Sequence, residues 1–266
     1  MRIWIGRANK FCLFLGLLFS RWAFSQESTL LLSDANRDTR RGTGILIVPF
    51  ENRMYRSDFD QTFCQSTRMS PKQLKHFFRN GLNQTLYNTL QKAGYRVRDL
   101  MEDTAQSKST LYNIYSQTAY DYLNVPDPVH FKPPKNDSRT PKVIKGQLVV
   151  ESQNEHKFMN ARLLQSQLIY NLAKQYQCKL FVFINQMDIL SGNTSNAYQY
   201  HQTMQRFNIH YTLFNDQGIE LHSGILQHEQ AENGTAAALT DKAFKAISEQ
   251  LLKRIDFVLF PKKQKK

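Results

Sequence analysis

Cysteine is scarce in this chain of 266 residues, which excludes a small scaffold held together by disulfides. The three cysteines are Cys12, Cys64 and Cys178. Cys64 and Cys178 are too far apart in the sequence to form a zinc knuckle. They are candidates for a single disulfide in an oxidising compartment, provided that their Cα atoms come within about 7 Å of each other.

Hydrophobic runs long enough to span a bilayer are also missing near the start of the chain. The apolar run from Phe11 to Phe19 has nine residues and is stopped by Arg21, whereas a transmembrane helix needs about 20. Basic residues precede the run and small residues follow it: Arg2, Arg7 and Lys10, then Ala23-Phe24-Ser25. This pattern predicts a signal peptide over residues 1–25, a polar stretch over 26–42 and export to the periplasm or cell envelope.

Acidic residues are fewer than basic ones, and the formal net charge is +13. The predicted signal peptide holds four basic residues and no acid, so the remaining chain still carries +9. An exported basic protein meets anionic envelope polymers and membrane surfaces first, and we expect no nucleic-acid partner because no such signature is present. The lysine-rich tail, residues 260–266, is typical of a solvated terminus.

Recognisable catalytic motifs are absent from the sequence: there is no GxSxG elbow, phosphate-binding loop or dinucleotide fingerprint. The polar groups left for catalysis are Asp58 and Asp60, in a long connection predicted over residues 51–69, and two histidines, His210 and His222. A nucleophile pair of Cys64 with a distant histidine is a further alternative and would need a lowered thiol pKa. Two histidines without a nearby acid or cysteine make a poor metal site, and Asp-Phe-Asp lacks the remaining ligands of a calcium loop. We therefore expect no enzymatic activity, cofactor or resident metal, with an envelope hydrolase or metal-dependent enzyme as the alternative.

The first half of the chain predicts a strand, a helix and a second strand. The branched apolar run of residues 43–50 is typical of a strand that is buried on both faces. Ser70, Pro71 and Gln73 form a capping box with proline at the first helical position, and Gly94 ends the helix. Residues 95–98 are predicted to form the next strand, and this order favours a parallel pair with the helix packed across it.

The second half predicts an insertion and a return to the sheet. Residues 103–150 contain five of the eight prolines and are interpreted as an insertion in a single α/β domain over residues 43–259. A helix over 157–177, a buried strand over 178–184, a hairpin and a helix over 235–259 follow. The predicted fold class is therefore α/β, with helices packed on a mixed sheet and a C-terminal hairpin followed by a helix.

The hairpin can be aligned from its apolar alternation. A three-residue loop, 216–218, with Gly218 left-handed pairs Leu213 with Leu221 and Ile209 with Ile225. In this register His210 and His222 lie on the same outer face as diagonal neighbours.

This order of elements, with a first strand reading Ile45-Leu46-Ile47-Val48-Pro49-Phe50-Glu51-Asn52, resembles a group of bacterial envelope proteins. The group comprises the TolB amino-terminal domain, the curli-secretion lipoprotein CsgG and the LpoB-type activators of penicillin-binding proteins. The resemblance implies a non-catalytic adaptor that docks on an envelope protein. This chain departs from the group because it has no lipid-anchoring cysteine at the predicted mature terminus and because it contains the insertion.

A partner-binding surface is the function that these expectations favour. Its candidate residues are the loop segment and the aromatic side chains of the insertion: Asp58, Phe59, Asp60, Tyr112, Tyr115, Tyr120 and Tyr122. The expected partner is another protein of the cell envelope, and an anionic polymer or membrane surface is a further candidate.

Overall fold

The computed structural model describes residues 38–101, 105–124, 143–144, 147–148, 157–192, 204–231 and 236–261. The predicted signal peptide and the lysines of the tail lie outside these residues. The strands are β1 (Gly44–Val48), β2 (Tyr55–Ser57), β3 (Arg96–Asp99), β4 (Thr118–Asn124), β5 (Val143–Ile144), β6 (Gln147–Leu148), β7 (Lys157–Leu163), β8 (Leu180–Gly192), β9 (Met204–Asn215) and β10 (Glu220–Ala231). The helices are α1 (Asp60–Thr67), α2 (Pro71–Lys92), α3 (Ala105–Ser116), α4 (Gln167–Tyr176) and α5 (Ala236–Leu259).

A mixed sheet forms the centre of the molecule, with strand order β10-β9-β8-β1-β3. Strand β1 runs parallel to both neighbours, β3 and β8, whereas β9 and β10 are antiparallel additions. The short strand β2 pairs in parallel with β8 at residues 187–189, further along β8 than β1. The predicted α/β class and the parallel pairing of the first two long strands are confirmed.

Each face of the sheet supports its own hydrophobic core, because successive side chains of a strand point to opposite faces. Ile45 and Ile47 contribute to a first core, which also contains buried side chains of α1, α2 and α5. Leu46 and Val48 contribute to a second core, which contains side chains of α3, α4 and β7. All five residues of β1 are buried, as the continuous apolar run predicted.

Helix α2 begins and ends where the sequence predicts. The Ser70 side chain accepts from the Gln73 backbone N–H, and the Gln73 side chain accepts in return from the Ser70 N–H. After Lys92 the chain turns through Gly94, whose φ of 97° lies in the left-handed region that glycine adopts without strain. The predicted capping box and glycine stop are confirmed.

The segment 51–69 is not the long polar loop that the sequence predicts. It contains a 3₁₀ turn, strand β2 and helix α1. Tyr55, Phe59 and Phe63 are buried in the first core, and these aromatic side chains supply the apolar surface that anchors the two short elements. These three residues recur every four positions, but the spacing runs across a strand and a helix, so the sequence alone does not separate the two elements.

The predicted helix over residues 157–177 is wrong in its first half, where the structure has strand β7. One edge of β7 pairs with β4 in a separate two-stranded sheet. On its other edge, the backbone N–H groups of Met159 and Ala161 donate to side chains of β9, His210 and Thr212. These tertiary hydrogen bonds outweigh the helical spacing of the leucines, and the helix begins only at Gln167.

The predicted register of the hairpin holds beside the turn, at Glu220 and Phe214, and is wrong by one residue from His222 onward. Gly218 has a φ of 75°, so the left-handed turn itself is confirmed. Glu220 pairs with Phe214, but His222 pairs with Leu213, so Leu221 is an extra residue at a register shift. Ile209 therefore pairs with Leu226 rather than Ile225. An inserted residue moves every later side chain of the strand to the other face.

A polar cluster joins the two ends of the described chain. The Arg40 guanidinium donates to both carboxylate oxygens of Asp256, at 3.2 and 2.6 Å. The Tyr95 hydroxyl donates to the same carboxylate at 2.7 Å. The Arg40 guanidinium also lies over the rings of Tyr95 and Phe260. The residues that precede β1 are thereby fixed to the last turn of α5.

Candidate functional site

The predicted partner residues of segment 51–69 serve mainly to hold β2 and α1 in place. Phe59 is buried in the first core. A carboxylate oxygen of Asp58 accepts from the Ser191 backbone N–H at 3.0 Å, and Asp60 accepts from the Tyr55 hydroxyl at 2.6 Å. The two carboxylates are therefore engaged within the protein.

The four predicted tyrosines divide into two that are packed and two that are exposed. The Tyr115 hydroxyl accepts from Arg79 at 2.8 Å and donates to the Pro49 carbonyl at 2.7 Å. Burial raises the pKa of Tyr115 to about 12 and also raises the pKa of Tyr120. By contrast, the side chain of Tyr112 on α3 is 77% exposed and that of Tyr122 on β4 is 47% exposed.

The two hairpin histidines lie on opposite faces of the sheet, so the predicted diagonal pair is wrong. His210 faces β7, to which its Nδ1 atom is hydrogen-bonded. His222 pairs with Leu213 of the first core and packs edge-on against Phe257 of α5. The register shift at Leu221 causes this separation. Both side chains are buried, whereas surface positions were expected.

His210 belongs to a buried chain of polar groups that the sequence did not reveal. Its Nδ1 atom accepts from the Met159 N–H at 2.8 Å, which places the ring hydrogen on Nε2. Nε2 then donates to Asp188 at 3.2 Å. Gln186 donates to both oxygens of that carboxylate and accepts from the Tyr122 hydroxyl at 2.9 Å. Because both ring nitrogens are engaged, His210 has no nitrogen available to accept a substrate proton.

A second polar group beside His210 fixes β7 on the sheet. The Thr212 hydroxyl accepts from the Ala161 N–H and from the Asn185 amide, and it donates to Asn160. Asn185 also donates to the Met159 carbonyl at 2.9 Å. These side chains satisfy backbone groups on an edge of β7 that has no strand partner. The sequence signal for this group is the polar pair Asn185-Gln186, which directly follows the apolar run of β8.

On the opposite face, the Nδ1 atom of His222 is hydrogen-bonded to the Tyr211 hydroxyl at 3.0 Å, and the two rings are stacked. Desolvation by burial, and then the nearby positive charge of Arg254, lower the pKa of His222 to about 4. The Tyr211 ring also covers Gly224, its partner across the strands. This arrangement keeps His222 neutral at physiological pH.

The two cysteines that follow the predicted signal peptide are free thiols in the structure, so the candidate disulfide is not formed. Cys64 packs against the first core and Cys178 lies in the second, on opposite faces of the sheet. Within the residues that the structure describes, no three His, Cys, Asp or Glu side chains come together as a metal site. Over the same residues, no helix is long and apolar enough to cross a bilayer.

Comparison with known proteins gives neither a matching family model nor a matching curated protein. Among solved structures, the lipoprotein GNA1162 from Neisseria meningitidis is similar with a TM-score of 0.30 and 13% identity, over 79% of this chain and 99% of that chain. The hypothetical protein CT253 from Chlamydia trachomatis has a TM-score of 0.35 and 10% identity, over 82% of this chain and 98% of that chain. A PelC dodecamer from Paraburkholderia phytofirmans has a TM-score of 0.31 and 6% identity, over 78% of this chain and 89% of that chain. Similarity at these scores supports no conclusion about the function of this chain.

Proposed function

We propose that this protein is an exported, non-catalytic interaction module that binds another protein of the cell envelope. The observation that carries the proposal is the exposure of Tyr112 and Tyr122 on two elements that contact each other, α3 and β4. Leu164, which is 54% exposed, follows β7, and its backbone N–H donates to the Gln117 carbonyl at the junction of α3 and β4. We call these three side chains the α3–β4 surface.

Tyrosine suits a binding surface because it buries a large area while losing few rotatable bonds, and its hydroxyl adds directional hydrogen bonding. Tyr122 is fixed in advance, since its hydroxyl donates to Gln186 and Gln186 is held by Asp188. A side chain that is ordered before binding lowers the entropy cost of association. The buried polar chain thus supports the proposal by holding one exposed ring in a single orientation.

Export and envelope location rest on the predicted signal peptide, and the resemblance to the TolB, CsgG and LpoB group fits an adaptor role. The group has no catalytic residue to carry over to this chain. The candidate residues Asp58, Phe59 and Asp60 support the surface less well, because their side chains are engaged in holding β2 and α1. We therefore restrict the proposed contact to the α3–β4 surface.

The test is site-specific crosslinking in the protein's own host. A photoreactive phenylalanine analogue is placed at position 112, 122 or 257, and crosslinked envelope proteins are identified by mass spectrometry. Phe257 is the matched control because it is an aromatic residue of similar exposure, 54%, on α5 at the other side of the sheet. We expect the same envelope protein from positions 112 and 122 and none from position 257.

Purified partner then gives the energetic test. Tyr112→Ala and Tyr122→Ala should each weaken binding by about tenfold, the loss typical of an aromatic interface residue, while Phe257→Ala leaves the affinity unchanged. Equal crosslinking from all three positions, or an affinity that neither tyrosine variant alters, would contradict the proposal.

A further inference from the structure

A cleft of about 430 Å³ opens at the end of the sheet where β3 and β8 begin. Its walls are formed by the start of β3, by α4, by the start of β8 and by the turn between β9 and β10. The lining residues from these elements include Arg96, Tyr170, Lys174, Cys178, Lys179 and Asp216. None of the residues that line the cleft belongs to the α3–β4 surface. Its volume falls within the range of about 300 to 1,000 Å³ that is usual for small-ligand sites.

The lining of the cleft is strongly basic. It contains three cationic side chains, those of Arg96, Lys174 and Lys179, and one carboxylate, that of Asp216. Within the described part of the chain, none of the three cations forms an ion pair. Their charges are therefore left for a ligand, and the local excess is about two positive charges.

Two of the cations are held in position by the protein itself. The Arg96 guanidinium donates to the Gln177 carbonyl at the end of α4. Lys174 lies with its ammonium group 4.4 Å from the centre of the Tyr170 ring. Lys179 follows at the start of β8, where its backbone N–H donates to the Gly44 carbonyl at 2.8 Å. The packing beneath is tight, since a Cβ on Gly44 would come within 2.6 Å of the Gln177 carbonyl oxygen.

We propose that this cleft binds a small molecule carrying a phosphate monoester, which Arg96, Lys174 and Lys179 hold by charge-assisted hydrogen bonds. A phosphate monoester carries about −1.5 to −2 charges near neutral pH, which matches the local excess of positive charge. Its three terminal oxygens can accept from the planar guanidinium and from two ammonium groups at once. A carboxylate would neutralise only half of that charge.

The ligand could come from solution or from a lipid headgroup, and separate probes distinguish the two sources. Glycerol 3-phosphate is titrated into the purified chain by calorimetry at about 150 mM salt, where contacts between exposed charges are screened. Glycerol serves as the uncharged comparison. Phosphatidylcholine vesicles with and without phosphatidate, a lipid that displays a phosphate monoester, are tested by co-sedimentation.

The variants separate the cleft from the general basic charge of the chain. Lys174→Gln/Lys179→Gln should weaken binding of the phosphate probe by about tenfold or more, because two exposed ammonium groups are lost from the site. Asp216→Asn should strengthen it by about threefold, because a repelling carboxylate is removed. Lys245→Gln/Lys253→Gln is the control, since it removes the same charge from exposed positions on α5.

Saturable binding of either probe supports the site if the affinity falls in Lys174→Gln/Lys179→Gln, rises in Asp216→Asn and is retained in the control variant. The probe that binds identifies the source of the phosphate. Binding of neither probe would overturn the proposal. It would also be overturned if the control variant lost as much affinity as Lys174→Gln/Lys179→Gln, because the attraction would then be unspecific. Tyr112→Ala and Tyr122→Ala are expected to leave phosphate binding unchanged, so this proposal and the proposed function can fail separately.

Discussion

At the residue scale, His210 is tied into the protein through both ring nitrogens. Replacement by alanine would leave the Met159 N–H without its acceptor and the buried Asp188 carboxylate without one of its donors. We expect His210→Ala to lower the free energy of unfolding by about 2 to 4 kcal/mol, the cost of buried polar groups that lose their partners. Urea denaturation measures the loss.

Asp188→Asn is the informative companion, because an asparagine oxygen can still accept from Nε2 of His210 while the negative charge is removed. A milder effect for Asp188→Asn than for His210→Ala is expected. If His210→Ala changed the free energy of unfolding by less than about 0.5 kcal/mol, the polar chain would have no structural role.

His222 gives the protein a predicted dependence on pH. Its pKa is lowered to about 4 in the folded protein, while the unfolded chain has the ordinary value of 6.5. Between these values the unfolded state binds more protons, so the stabilising contribution is complete above pH 6.5 and is lost as the pH falls toward 4. We expect the loss to be on the order of 2 kcal/mol.

The measurement is urea denaturation of wild type and His222→Gln across this pH range. Glutamine keeps a polar group near Tyr211 but does not titrate, so the difference between the two proteins isolates the histidine. Parallel pH profiles for the two proteins would show that another group is responsible.

At the element scale, strand β7 depends on side chains of the main sheet for the hydrogen bonds of one of its edges. Thr212→Val removes the hydroxyl that accepts from the Ala161 N–H and from Asn185 and that donates to Asn160. We expect the amide of Ala161 to exchange its hydrogen at least about tenfold faster, because β7 opens without the whole sheet unfolding. Amides of β1 should change less.

Thr85→Val is the matched control for this exchange experiment. The Thr85 hydroxyl donates only to the Gly81 carbonyl one turn earlier in α2. Its loss should leave β7 protected. Equal acceleration across β1 and β7 in Thr212→Val would mean that the strand opens only by global unfolding.

The elements that the sequence predicted well are those whose signals are local. The capping box at Ser70, the stop at Gly94 and the apolar run of β1 are each determined by neighbours along the chain. The strand β7 and the extra residue Leu221 depend on distant partners, so spacing alone misassigned both. The candidate site shows the same division: exposed Tyr112 and Tyr122 were named, while Asp188, Gln186 and the cleft residues came together only through the fold.

At the scale of the whole molecule, the sheet separates the two cysteines. Cys64 is half-buried beside the first core, and Cys178 is buried in the second. Burial also raises the pKa of Cys178 to about 11, so little of the reactive thiolate is present at neutral pH. We expect iodoacetamide to modify Cys64 at least about tenfold faster than Cys178 in the folded protein.

Mass spectrometry after timed labelling measures the two rates, and a Cys64→Ser variant confirms the assignment of the fast site. Labelling in denaturant should make the two rates similar. Recovery of a peptide that links Cys64 to Cys178 from protein handled without reductant would contradict the separation by the sheet.

The cluster of Arg40, Tyr95 and Asp256 brings the first and last described segments of the chain to one place. Donor and acceptor fluorophores attached next to residues 38 and 261 would therefore report folding as strong energy transfer that disappears on denaturation. The same proximity means that a short linker could join these two ends, and new ends could be opened at the turn 216–218. A circularly permuted protein of this kind would keep both cores and would test whether chain order is needed to reach the fold.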